Sequence, residues 1–242
     1  MIIFPAIDIK NGECVRLFRG DFSTAERVAD DMMQTALSFK AAGCEWLHMV
    51  DLDGSLEGRR VNQQIFLEAA AHSGLKVELG GGIRTMADAA FYLERGISRV
   101  ILGSAAIQNP AFVGEAVKEF GAEQVAVGID AKNGMAAAGG WLEDSDIHYI
   151  DLARRMEQLG VRYIIYTDIG RDGMLSGPNV EHLCALRDAV GCGITASGGV
   201  TNINDIRALA EAKMYGAICG RSIYAGTLDL KEAVQMAKSM AD

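Results

Sequence analysis

The sequence predicts an α/β protein, a (β/α)8 TIM barrel with a two-fold internal half-barrel repeat. Three observations lead there. Eight short β-branched runs alternate with eight longer stretches of helical apolar period. Glycines stand where several helices should stop, at Gly43, Gly74, Gly96, Gly121 and Gly160. Motifs also recur at a fixed spacing. Alternation of this kind requires a parallel sheet with crossover helices. Eight units favour a closed barrel over an open doubly wound sheet, the competing arrangement.

In order, strands are expected at Ile2–Ile9, Trp46–Leu52, Lys76–Gly80, Arg99–Leu102, Val125–Asp130, Tyr163–Asp168, Gly193–Ser197 and Tyr215–Cys219. Helices are expected around Ala29–Ala42, Asn62–Ser73, Met86–Arg95, Pro110–Phe120, Tyr149–Leu159, Val180–Val190, Asn204–Ala212 and Leu230–Met240. Gly198-Gly199-Val200 repeats Gly81-Gly82-Ile83 after 117 residues, and Gly220-Arg221 repeats Gly103-Ser104 at the same offset. Asp168 and Asn179 likewise repeat Asp51 and Asn62. Ile7-Asp8-x-Lys10-Asn11-Gly12 recurs as Ile129-Asp130-x-Lys132-Asn133-Gly134. Shared offsets of this sort are a repeat signature rather than a compositional likeness between β/α units.

Composition narrows the class. Half of the 242 residues are hydrophobic and 23% are charged, which excludes a mainly disordered chain. Only three prolines occur, with no low-complexity stretch, so residues 1–242 are read as one domain. No apolar run approaches the ~18 residues of a membrane span. Met1-Ile2-Ile3-Phe4-Pro5 lacks a basic region and reads as a strand, not as a secretory signal. The five scattered cysteines, without C-x-x-C spacing, suggest neither disulfides nor zinc, and the expected compartment is the reducing cytoplasm. A net charge of −9 opposes nucleic acid and anionic membrane as partners. It leaves room for a phosphate ligand held by backbone N–H groups.

The reactive face of such a barrel lies at the C-terminal strand ends. Asp8 after the first strand and Asp130 after the fifth should face each other across the mouth, as suits general acid–base work. Asp51 and Asp168 are expected to be scaffolding, bonded to neighbouring loops. Gly81, Gly82, Gly103 and Ser104 on one side, and Gly177, Gly198, Gly199, Gly220 and Arg221 on the other, are candidate phosphate-binding residues. Two cradles imply a small molecule with a phosphate at each end. Arg16 and Arg19 follow the first strand, where each either meets an anionic substrate or is solvated. Trp141, in the loop after the fifth strand, either stacks on a planar ligand or packs on the barrel rim. No histidine pair has ligand spacing, and His48 reads as a core residue, so no metal is expected.

Over nearly the whole chain these motifs resemble one family. Phe4-Pro5-Ala6-Ile7-Asp8-Ile9-Lys10-Asn11-Gly12, Val50-Asp51-Leu52-Asp53-Gly54, Gly80-Gly81-Gly82-Ile83-Arg84 and Thr167-Asp168-Ile169-Gly170-Arg171-Asp172-Gly173 together carry the likeness. The family is the phosphoribosylformimino-5-aminoimidazole carboxamide ribotide isomerases of histidine biosynthesis. The resemblance implies an Amadori rearrangement of an aminoaldose to an aminoketose, on a substrate with two phosphates. It implies Asp8 as the base that removes the ribose C2 proton, and Thr167 as a hydrogen-bond partner of the reacting sugar. A second carboxylate would protonate the ring oxygen; Asp130 and Asp172 both match family aspartates, and the choice between them stays open. No metal or organic cofactor is required for such enolisation. The cyclase subunit of imidazole-glycerol-phosphate synthase is the nearest relative in kind. It normally carries a lysine soon after the first strand and a Cys-Leu-Asp-type start, where this chain has Pro5-Ala6-Ile7-Asp8 and Arg16. Bifunctional enzymes that also isomerise phosphoribosylanthranilate tend to bear an arginine near Trp141, and Ala136-Ala137-Ala138-Gly139-Gly140 has none. A monomer is expected.

Overall fold

The structure, a computed structural model, describes residues 1–18, 20–141 and 143–240. In chain order it holds β1 (Ile2–Lys10), β2 (Glu13–Phe18), β3 (Asp21–Ala29), α1 (Met32–Ala41), β4 (Trp46–Asp51), α2 (Leu52–Glu57), α3 (Gln63–His72) and β5 (Lys76–Gly80). There follow α4 (Met86–Leu93), β6 (Arg99–Leu102), α5 (Ala105–Gln108), α6 (Pro110–Phe120), β7 (Val125–Lys132), β8 (Met135–Ala138), β9 (Glu143–His148) and α7 (Tyr149–Gln158). The chain continues through β10 (Tyr163–Asp168), α8 (Val180–Ala189), β11 (Gly193–Ser197), α9 (Ile203–Glu211), β12 (Gly216–Cys219), α10 (Arg221–Tyr224) and α11 (Leu230–Ser239).

β1, β4, β5, β6, β7, β10, β11 and β12 pair in that order, each with a parallel neighbour, and β12 returns to β1. The result is a closed eight-stranded parallel barrel with helices between the strands. Strand periodicity assigns each side chain to a layer. Phe4, Ala6, Trp46, Ile101, Ala126, Ile165 and Ile218, drawn from six strands, form one cluster inside the barrel. Their odd-numbered or even-numbered neighbours on the same strands, such as Ile3, Leu47, Val127 and Ile164, belong to the larger cluster under the helices. Following the inner face upward from Phe4 and Ala6 reaches Asp8. Following it from Ala126 and Gly128 reaches Asp130.

Two departures from the expected elements have local causes. The first helix begins at Met32 rather than near Ala29, because the Asp31 side chain accepts from Gln34 N and caps it there. Residues just before Asp31 run in β3 instead. The connections expected as loops after the first and fifth barrel strands are antiparallel hairpins, with Asp8 opposite Val15 and Asp130 opposite Ala137. Each turns on Asn-Gly, with φ of 51° and 78° at Asn11-Gly12 and 52° and 82° at Asn133-Gly134. Two consecutive positive φ values define the type I′ turn that matches strand twist, and Asn-Gly adopts it readily. No helix is long and apolar enough to cross a membrane, among the described residues.

Candidate active site

One pocket opens at the C-terminal strand ends, and Asp8, Asp130 and Asp172 all line it. Asp8 Oδ2 accepts from Arg16 Nη1 at 2.7 Å. Arg16 reaches Asp8 because the β1–β2 hairpin returns β2 beside the strand that carries the aspartate. Its side chain is largely buried. Burial works against the charge, but Asp8 and Asp172 outweigh it and hold the arginine firmly protonated. Arg16 Nε has no hydrogen-bond partner among the described residues. A Cβ on Gly220 would come within 2.5 Å of Arg16 Nη2, so Gly220 keeps room for this side chain as well as lining the pocket.

Asp172 follows β10 in a tight turn whose N–H bonds back to the Asp168 carbonyl. Burial pushes its carboxyl up to about 6; Arg16 opposes the shift, while the Asp8 and Asp130 charges add to it. The Asp172 carboxyl therefore senses the charges of both other pocket aspartates. Asp130 is also raised, chiefly by burial, and the Thr167 hydroxyl, the Trp141 indole and the His48 ring each counter it. Thr167 is register-paired with Asp130 across β7 and β10, which puts the hydroxyl beside the carboxylate.

The glycine turns flank the carboxylates. Gly81 and Gly82 follow β5, and Gly198 and Gly199 follow β11, all four at positive φ. A Cβ at Gly81 would overlap the Asp51 carbonyl oxygen, and one at Gly199 the Gly177 carbonyl oxygen. Both turns need glycine for close backbone approach, whatever they bind. Gly103 differs: a Cβ there meets nothing within 4 Å, so its open side faces the pocket it lines. Ser104 Oγ accepts from Gly139 N at 3.0 Å and ties the β6 end to the loop beyond β8. Arg221 donates to the Gly173 carbonyl and so braces the turn that carries Asp172.

The remaining candidates divide. Trp141 lines the pocket at φ 73°, and its ring fills the space over Gly20, where any Cβ would overlap it. Gly177 does not line the pocket; its N–H bonds to the Gly199 carbonyl at 2.9 Å, supporting that turn from behind. Arg19 lies outside the described residues. Asp51 is fully buried and accepts from Gly54 N, Val61 N, Asn62 N and Asn62 Nδ2. Asp168 accepts from Gly170 N and Asn179 Nδ2. Both are loop scaffolding. Sequence reasoning passed over His48, which lines the pocket, and left Arg16 undecided. The signal for His48 was parity: Trp46, His48 and Val50 alternate onto the inner face of β4.

Among the described residues no group of three or more His, Cys, Asp or Glu side chains has the arrangement of a metal site.

A model of the histidine biosynthesis protein family matches residues 2–229. A protein of Clostridium novyi (strain NT) is 49% identical over 238 residues, covering 98% of this chain and all of its own. It is named 1-(5-phosphoribosyl)-5-((5-phosphoribosylamino)methylideneamino) imidazole-4-carboxamide isomerase. Proteins of the same name from Listeria welshimeri and Clostridium botulinum are 50% and 48% identical, each covering 98% of this chain.

Proposed function

The chain belongs to the histidine biosynthesis protein family and is an isomerase, and from that premise we propose the Amadori rearrangement of the bis-phosphoribosylated imidazole carboxamide aminoaldose to its aminoketose. The observation that carries the reading is the convergence of Asp8, Asp130 and Asp172 in one pocket between two sets of glycine turns. The reaction needs a base for the C2 proton and an acid for the ring oxygen. Asp8, paired with Arg16, is the base. Asp172 is the acid, because a carboxyl held at about 6 keeps a proton closer to neutrality than an ordinary one. Asp130, accepting from Thr167 and Trp141, holds the sugar as it opens.

Gly81, Gly82, Gly103 and Ser104 receive one phosphate, and Gly198, Gly199, Gly220 and Arg221 the other; Gly177 contributes by holding Gly199. The opened, N-protonated aldimine loses its C2 proton to Asp8 and passes through a neutral enaminol, which takes a proton at C1 and gives up its C2 hydroxyl proton to become the ketose. The substrate is a small molecule, bound by a cytoplasmic monomer of one domain that needs neither nucleic acid nor membrane.

Purified protein supplied with the aminoaldose should yield the ketose, followed by absorbance and chromatography. Phosphoribosylanthranilate run in parallel should remain unconverted. Formation of imidazole-glycerol phosphate from the ketose and ammonia would instead assign the cyclase reaction.

A further inference from the structure

Beneath the pocket the barrel interior holds three polar side chains that the proposed chemistry does not use. His48 on β4, Glu78 on β5 and Arg99 on β6 occupy adjacent strands with inner-face parity. His48 Nδ1 lies 2.9 Å from Glu78 Oε1, and Arg99 Nη1 lies 3.4 Å from Glu78 Oε2. Glu78 is 1% exposed and Arg99 2%, so neither charge is in water. Arg99 is itself fixed. Its guanidinium lies 3.9 Å from the Tyr163 ring centroid and 4.6 Å from that of Trp46, and its Nε donates to the Glu123 carbonyl.

A barrel floor could be closed with apolar side chains, as the neighbouring Ile101, Ile165 and Ile218 do. A buried acid and base are costly there unless mutually satisfied. Glu78 has one oxygen on a cation stacked in place and the other on the histidine. A carboxylate only accepts, so the hydrogen between Glu78 and His48 belongs to Nδ1. His48 Nε2 is then the ring nitrogen left for the pocket that His48 and Asp130 both line. A histidine whose far nitrogen is held by a fixed acceptor has a set tautomer and a set ring direction.

We propose that Glu78, held by Arg99, is a positioning residue for the isomerisation: it locks the His48 ring so that Nε2 meets the reacting sugar beside Asp130. The inference rests on the isomerase reading for its catalytic consequence, but not for its geometry.

Nitrogen NMR of ring-labelled histidine in the free protein tests the geometry alone. The chain has four histidines, and loss of one signal set in His48→Asn assigns the ring. In the folded protein Nδ1 should be proton-bearing, hydrogen-bonded to Glu78. A bare Nδ1 overturns the proposal, whether or not any variant folds. Glu78→Asp keeps the charge beside Arg99 but withdraws the carboxylate from Nδ1. It should lower kcat about tenfold with KM within about twofold, at unchanged circular dichroism. Wild-type kcat, or a loss that only tracks the unfolded fraction, overturns it too. Should wild-type protein fail to isomerise the aminoaldose, the functional reading falls while the NMR result stands by itself.

Discussion

In the proposed reaction Asp172 carries the proton that the ring oxygen takes. Its carboxyl is raised from 3.8 to about 6, so the folded state binds this proton more tightly than the unfolded chain. The stability it contributes is fully present below about pH 4 and is lost as pH rises through about 6. Above that, the fold carries a buried carboxylate at a cost of about 1–2 kcal/mol after allowance for partial exposure. Asp172→Asn should therefore raise Tm at pH 8 by about 4 °C and leave it little changed at pH 4, measured by calorimetry. The same variant should lose about 10²–10⁴ in turnover. In the wild type the alkaline limb of kcat/KM should set in near pH 6 and be absent from the residual activity of the variant. Equal melting temperatures at pH 8 would contradict the shift. Asp8 and Asp130 were legible because the same hexapeptide carries both at strand ends. Asp172 was legible only through family likeness, since its nearness to the Arg16 charge depends on a hairpin. His48 looked like core because its strand is buried on both faces, and only the parity of β4 separates pocket from core.

At the scale of elements, the barrel strands were plain from β-branched runs, while the two hairpins beside the site were not. β3 and β9 are polar and lack a continuous apolar run, so periodicity gave no alternation to find. Asn11-Gly12 and Asn133-Gly134 were visible as a repeat, yet their turn chemistry went unread. Substitution can separate the backbone fit of the glycines from their proposed phosphate contact. Gly81→Ala drives a Cβ into the Asp51 carbonyl at positive φ, and should destabilise the protein by about 3 kcal/mol or more in urea unfolding. Gly103→Ala meets open space, and should melt with the wild type while raising KM several-fold by crowding the phosphate. A Gly103→Ala protein with unchanged KM would remove Gly103 from the cradle.

The whole molecule is an acidic chain whose proposed phosphate-binding groups lie at one end of a barrel. With a net charge of −9, it offers long-range attraction to no anion. In the proposed reading, binding comes from local N–H groups, Arg16 and Arg221. Inorganic phosphate should accordingly inhibit in competition with substrate, raising apparent KM without lowering kcat in initial-rate assays. Noncompetitive inhibition would place phosphate elsewhere. Barrel closure was legible because eight strand–helix units fill a chain of this length, and the pairing of β12 with β1 completes it. How the charges and hydrogen bonds inside the barrel are shared was not, since inner-face contacts join residues from strands far apart in sequence.

The proposed catalysis turns on a carboxylate at the end of β1 that removes a carbon-bound proton from a bis-phosphorylated aminoaldose. Turnover in deuterium oxide, read by mass spectrometry of the product, tests it most directly. Wild-type protein should give ketose carrying deuterium at C1, and Asp8→Asn should bind the substrate yet form essentially none. Ketose formed by Asp8→Asn at the wild-type rate, or no ketose from the wild type, would contradict the account.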